Sequence, residues 1–332
     1  MARAKKNPTP FYVINRSFYY REEFGNNQRR NNTNYYDVNS SSDNTTFYNT
    51  ATTNSIKSDY KANVVEMLNK SYNAFRFDYF VASFFILSAA LYYFSCANIL
   101  NANILYLLLY VIITIGFISF LFTAKWETKR RRINLFYEFD DNDSEFYEKI
   151  ISAFNELAEC KSMWGIISSE YLPDTYHRKI NAGAGHLTNR ASASIGSGKL
   201  PWVDSNIGSF PLIKACGRSL YFMPDGILVY DSNGVAYVDY LDIKTTVSTT
   251  RFVEEYPPSD ANIVDYTWRF ANINGGPDRR FNDNKKIPIC RYGELYIDVK
   301  NEQLLYVITS KEYAPEKFKK AMNEFRTLIN EK

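Results

Sequence analysis

The chain has 332 residues, enough for one large domain or two smaller ones around a buried core. A formal net charge of +3 argues against a specific nucleic-acid partner for the molecule as a whole. Four cysteines, at 96, 160, 216 and 290, include no C-x-x-C pair; this argues against a disulfide frame or zinc site and for thiols in a reducing compartment.

Residues 1–60 come first in chain order. They are rich in Asn, Ser and Thr around "NNQRRNNTNYYDVNSSSDNTTFYNTATTN", and residues 1–30 carry seven Lys/Arg against Glu22 and Glu23. So few aliphatic side chains cannot offset the entropy of ordering, so the stretch reads as a disordered, mildly basic tail. Residues 61–78 read as a juxtamembrane helix with Val64, Val65, Met67 and Leu68 as its apolar positions.

Two uncharged runs follow, "YFVASFFILSAALYYFSCA" (79–97) and "ILYLLLYVIITIGFISFLFTA" (104–124), joined by "NILNAN". At about 1.5 Å per residue each spans roughly 30 Å, the thickness of a bilayer's hydrocarbon, so 79–124 reads as a transmembrane hairpin. Lys70 and Arg76 precede it, Lys125 and "KRRR" (Lys129, Arg130, Arg131, Arg132) follow it, and the turn is uncharged. By the positive-inside rule both termini face the cytoplasm, and Lys129 to Arg132 lie where they can meet anionic headgroups. Gly116 is the only glycine in the two spans, so no G-x-x-x-G interface is visible; Ala82, Ala89 and Ala90 are the small residues left for a homo-oligomer through the hairpin, which stays open.

From 133 to 332 the pattern is that of a cytoplasmic α+β domain. "INLFYEFD" (133–140) alternates like a strand, and Asp143 or Ser144 reads as the N-cap of an amphipathic helix with Phe146, Ile150, Ala153, Phe154 and Leu157 on one stripe. "SMWGIISSEYL" reads as a strand, 175–219 as a long basic Gly/Ala/Ser-rich connection, and 217–255 as three or four strands with hairpin turns at "PDG" and "SNG". "IVDYTWRFANI" (263–273) reads as a strand ending at Ile273 and 293–310 as a hairpin. The last helix carries Phe318, Met322, Phe325 and Ile329 on one face.

Two resemblances attach to this region. "SLYFMPDGILVYDSNGVAYVDYLDI" and "GELYIDVKNEQLLYVITSKEYAPEKFKKAMNEF" resemble the opening hairpin and the ending of a pleckstrin-homology-like (GRAM-like) domain, whose final helix plugs a β-barrel. The segment "DYTWRFANINGGPDRRF", with "RKINAGAG" upstream, is similar to an uncharacterised bacterial family sharing T-W-R-aromatic and G-G-P-D-R-R-F; the likeness covers roughly residues 135 to 325 and implies no reaction. The transmembrane hairpin and the Asn-rich tail fall outside these resemblances; for the rest they imply an α+β architecture, a cytoplasmic PH-like barrel from about 162 with an amphipathic helix and a capping C-terminal helix.

Arg269, Arg279 and Arg280 flank a Gly-Gly-Pro turn, and guanidinium forks suit phosphate or carboxylate. Asp278 beside them supports the alternative of a turn stapled by its own Asp–Arg pair. Arg178 and Lys179, in the basic 175–219 segment, complete the candidate ligand set. "ASASIGSGKL" fails as a P-loop, since Ala193 and Leu200 stand where Gly and Ser/Thr belong. Glu254 and Glu255 read as strand-end surface charges. His177 and His186 are the only histidines, so no metal or cofactor is expected.

The reading is a non-enzymatic, membrane-anchored binding or sensing module, an effector through its hairpin in one version. Its expected partners are the lipid bilayer and an anionic small molecule, lipid headgroup or protein segment; its expected place is a bacterial inner membrane. The alternatives are a membrane-tethered enzyme on a phosphate-bearing or nucleotide-like substrate, and a structural scaffold.

Overall fold

The structure, a computed structural model, describes residues 13–15, 45–49, 51, 53, 62–96, 102–135, 137, 141–300 and 302–331. The chain runs β1 (Val13–Asn15), β2 (Thr45–Phe47), α1 (Ala62–Asn73), α2 (Phe77–Cys96), α3 (Ala102–Arg131), β3 (Ile133–Leu135), α4 (Asp141–Ala158), β4 (Met163–Tyr171) and α5 (Thr175–Ile180). It continues through β5 (His186–Ser192), β6 (Ser194–Gly198), β7 (Val203–Ser205), β8 (Phe210–Ala215), β9 (Arg218–Phe222), β10 (Ile227–Asp231) and β11 (Gly234–Val238). β12 (Ile243–Val253), β13 (Asn262–Trp268), β14 (Lys286–Val299), β15 (Glu302–Thr309) and α6 (Ala314–Glu331) complete it. These elements divide into two compact units, one of which joins Ala62–Tyr137 to Lys199–Gly208.

In that helical unit α2 and α3 pack antiparallel. Phe77 meets Trp126 at 6.1 Å between ring centroids, and a Cβ added to Gly116 would lie 2.8 Å from Phe85. The missing side chain at Gly116 therefore makes room for Phe85 of the facing helix, a role its sequence position alone did not show. Both helices are long and apolar enough to cross a membrane. Their outer side chains are apolar and open: Phe94 is 78% exposed, Phe122 73% and Ile86 71%. The hydroxyls of Ser83, Ser88, Thr114 and Thr123 each donate to a carbonyl three or four residues back, which satisfies these donors without water. β3 pairs in parallel with β7, and Asn206 exchanges two hydrogen bonds with the Tyr137 backbone. The strand expected over 133–140 is thus three residues long where described; 136 and 138–140 lie outside the described residues.

The second unit is α+β. α4 begins at Asp141, so Asp143 and Ser144 stand inside its first turn and do not cap it. Ile150, Ala153, Phe154 and Leu157 are buried, and Phe318, Met322 and Phe325 of α6 join them in one core with the strands. The rings of Phe154, Phe222 and Phe318 meet edge to face at 4.7 to 5.8 Å, a favourable quadrupole arrangement. The side chains of Phe146 and Ile329 lie outside the described residues.

Among the described residues the strands of this unit fall into two sheets, and no single closed barrel unites them. β11-β10-β9-β8-β6 form an antiparallel sheet whose tight turns stand at the expected "PDG" and "SNG". Asp231 accepts from Asn233 N and Gly234 N (2.7 and 3.1 Å), and Gly234, at φ 142°, takes a conformation that other residues resist. The larger, eight-stranded sheet is built on β14. β12 lines one edge of it, while β13 and then β15 share the other.

Several expectations change. The basic stretch 175–219 is not a loop, because α5 and four strands with part of a fifth occupy it. Strand pairing uses backbone N–H groups that a loop would have offered to an anion. β13 stops at Trp268, not Ile273. Parts of the expected tail join the sheet: β1 pairs with β5 and β12, and β2 with β4. Asn49 is buried, donating to Ile166 O (2.6 Å) and accepting from Tyr306 N (2.6 Å). Tyr48, Ala51 and Thr53 are described as well, and the remainder of 1–60 lies outside the described residues.

Phe318→Ala removes the ring shared by both helices and the sheet. It is expected to lower the stability of the full chain in detergent by about 3–5 kcal/mol, read by urea unfolding with tryptophan fluorescence. A loss below about 1 kcal/mol would contradict this packing.

Candidate functional site

The Arg-rich segment is an ordered loop that consumes most of its own polar groups. Phe270 and Phe281 stack across it at 4.0 Å and 11°. Asn284 extends the ladder by accepting from Phe270 N (2.9 Å) and donating to Phe270 O (2.8 Å). Gly275, at φ 76°, makes the reversal, and Asn272 donates through its side chain to Pro277 O at 3.0 Å.

Asp278 is 4% exposed and sits at the centre. It accepts from Arg280 Nη2 (2.9 Å) and the Arg280 backbone N (3.1 Å), and forms an ion pair with Lys179. The Arg280 and Lys179 side chains hold its carboxyl well below the usual aspartate range. Thr267 donates to Ala182 O at 2.9 Å. The motif pieces "TWR", "GGPDRRF" and "RKINAGAG" are thus joined by Thr267–Ala182 and Asp278–Lys179.

The candidate ligand residues do not converge on one point. Lys179 and Arg280 meet on Asp278. Arg178 turns to Leu172 O (2.7 Å) and the Tyr171 hydroxyl (2.7 Å), and Arg269 points to Asp283 at 3.8 Å. Arg279 is exposed. The geometry is that of the Asp–Arg staple, with Lys179 as a third member.

A second cluster escaped the sequence. Glu254 is 5% exposed, not a surface charge, and pairs with Arg190 at 2.5 Å; Glu255 is the exposed one and pairs with Lys285. The Arg190 guanidinium lies 4.0 Å from the Trp164 ring centre and 5.4 Å from that of Phe252. Desolvation outweighs Arg190 and raises the Glu254 carboxyl, and burial pushes the Cys290 thiol up to about 11. Arg190 in β5 and Glu254 just past β12 are both buried, which their polarity conceals in the sequence.

The basic end of α3 separates into two faces. Arg131, 3% exposed, binds Glu127 at 2.6 Å and donates to the carbonyls of Ser71, in the last turn of α1, and of Ala74 and Phe75 just past it (3.2, 2.7 and 3.1 Å). Arg130 joins it on Glu127 at 2.7 Å. On the other face Lys125, Thr128, Lys129 and Arg132 recur at helical spacing around a cleft of about 720 Å³, closed by Asn134 and Asp204. Arg132 reaches Asp204 at 3.0 Å, with both groups about half exposed.

Comparison of the chain with protein-family models, with curated proteins and with solved structures finds no match.

Asp278, with its lowered pKa, contributes stability that is fully present above its ordinary value of 3.8 and is lost as pH falls below it. Asp278→Asn is therefore expected to lower the melting temperature at neutral pH and to flatten its decline below pH 3.8. An unchanged acid limb in the variant would show that the staple does not carry this dependence.

Proposed function

We propose that the chain is a membrane-anchored, non-enzymatic binding or sensing module, held by the α2–α3 hairpin with both flanks in the cytoplasm of a bacterial cell. The observation that carries this reading is the pair of helices with open apolar side chains, basic at one end and uncharged in the turn at the other. Such a surface has no stable place in water. An effector role through the hairpin fits the same arrangement.

We assign the α+β unit a PH-like character on its strand order. Four antiparallel strands, β8 to β11, precede β12, β14 and β15, and a C-terminal helix follows with its apolar face in their common core. The likeness to the T-W-R/G-G-P-D-R-R-F family remains part of the proposal, and the contacts joining its segments assign them a folding role. A membrane-tethered enzyme using the Arg-rich loop is the weaker reading, because Asp278 is engaged by Lys179 and Arg280. A scaffold role draws support from β13, an edge strand exposing Ile263 and Tyr266.

Topology tests the proposal. In a background without reactive thiols, Ile273→Cys, at an 80% exposed position, should react with a membrane-impermeant maleimide only after spheroplasts are permeabilised. The protein should also resist alkaline carbonate extraction. Labelling in intact spheroplasts would reverse the orientation, and extraction into the carbonate supernatant would end the membrane reading.

A further inference from the structure

We propose that the cleft beside the end of α3 binds the phosphate of an anionic phospholipid, a reading that rests on membrane insertion of the hairpin. Leu121, Lys125 and Lys129 follow one another along one stripe of α3 and Arg132 stands just past its end, so the cleft passes from apolar to basic over about 16 Å. That order matches a lipid, with acyl chain toward Leu121 and headgroup toward Arg132. A free phosphate would have no use for the apolar end.

The basic residues differ in what they already hold. Arg130 and Arg131 are engaged by Glu127, and Arg131 by backbone carbonyls, so the electrostatic work falls to the other face. Lys125 and Lys129 are exposed, with no ion pair recorded among the described residues. Arg132 is shared with Asp204, whose carboxylate occupies the position an anionic headgroup would take. Asn134 adds an amide donor at the rim. Asp204 thus competes with the ligand, and the lysines supply the attraction.

The full chain is reconstituted in nanodiscs of phosphatidylglycerol and phosphatidylcholine in equal parts, released, and weighed intact by native mass spectrometry. Wild type is expected to retain phosphatidylglycerol in preference to phosphatidylcholine. Lys125→Gln with Lys129→Gln should reduce that retention about thirtyfold, and Asp204→Asn should increase it. All substituted side chains are exposed, and incorporation into the nanodisc reports that each variant is intact. Equal retention of the two lipids by wild type, or the same preference in the lysine variant, overturns the lipid site while leaving membrane insertion in place. Displacement of phosphatidylglycerol by millimolar inorganic phosphate would make this an anion site and overturn the assignment to lipid. Failure of wild type to enter nanodiscs at all overturns the membrane reading itself.

Discussion

The apolar outer surface of α2 and α3 is the constraint on which the account of this protein depends. Phe80, Phe84, Leu87 and Phe94 on one helix and Leu107, Phe117, Ile118 and Phe122 on the other stand open. Leaving so many large side chains in water forfeits roughly 1.5–3 kcal/mol each. The hydroxyls bonded back to their own helices point the same way. So does the close approach at Gly116, since helix pairs in lipid associate through packing at small residues.

Where the apolar surface ends, the charges are organised, not scattered. Glu127 binds Arg130 and Arg131, and Arg131 donates further to carbonyls at and just past the end of α1. A buried ion pair repays its desolvation only when the leftover hydrogen-bonding groups are satisfied, and here three carbonyls do so. Arg76 with Asp78, and the rings of Phe77, Tyr79 and Trp126 under the guanidinium groups, continue this collar. The same economy governs the α+β unit. Asp278 takes up Lys179 and Arg280, Arg190 takes up Glu254, and residues that look like ligands in a list of charges are spent on holding the fold. Lys125 and Lys129, beside the apolar surface, are exposed and have no ion pair among the described residues.

Much of this was legible in the residues. The two uncharged runs, the stripe Ile150–Ala153–Phe154–Leu157, the face of Phe318, Met322 and Phe325, and the "PDG" and "SNG" turns rest on local periodicity and turn chemistry, and local rules suffice for them. What could not be read depends on pairing across long separations. Asn49 meets Ile166 and Tyr306 across more than one hundred residues, so an Asn-rich stretch conceals a buried, fully bonded side chain. The Gly/Ala/Ser-rich composition of 186–198 suggests a loop, yet β5 and β6 are fixed by partners elsewhere in the chain. For the candidate site, composition shows which charges are present but not which are already paired. Arg269 and Arg280 lie within a dozen positions of each other and still meet different partners, Asp283 and Asp278, while Arg279 between them is exposed.

The most direct test of the central claim is a spin-label accessibility scan along the outer face of α3 in lipid nanodiscs, from Leu107 through Phe117 and Phe122 to Lys129. Lipid placement predicts high collision rates with oxygen and low rates with a water-soluble nickel chelate through Phe122, reversing by Lys129. Nickel access that is uniform along the helix would place this surface in water and contradict the account.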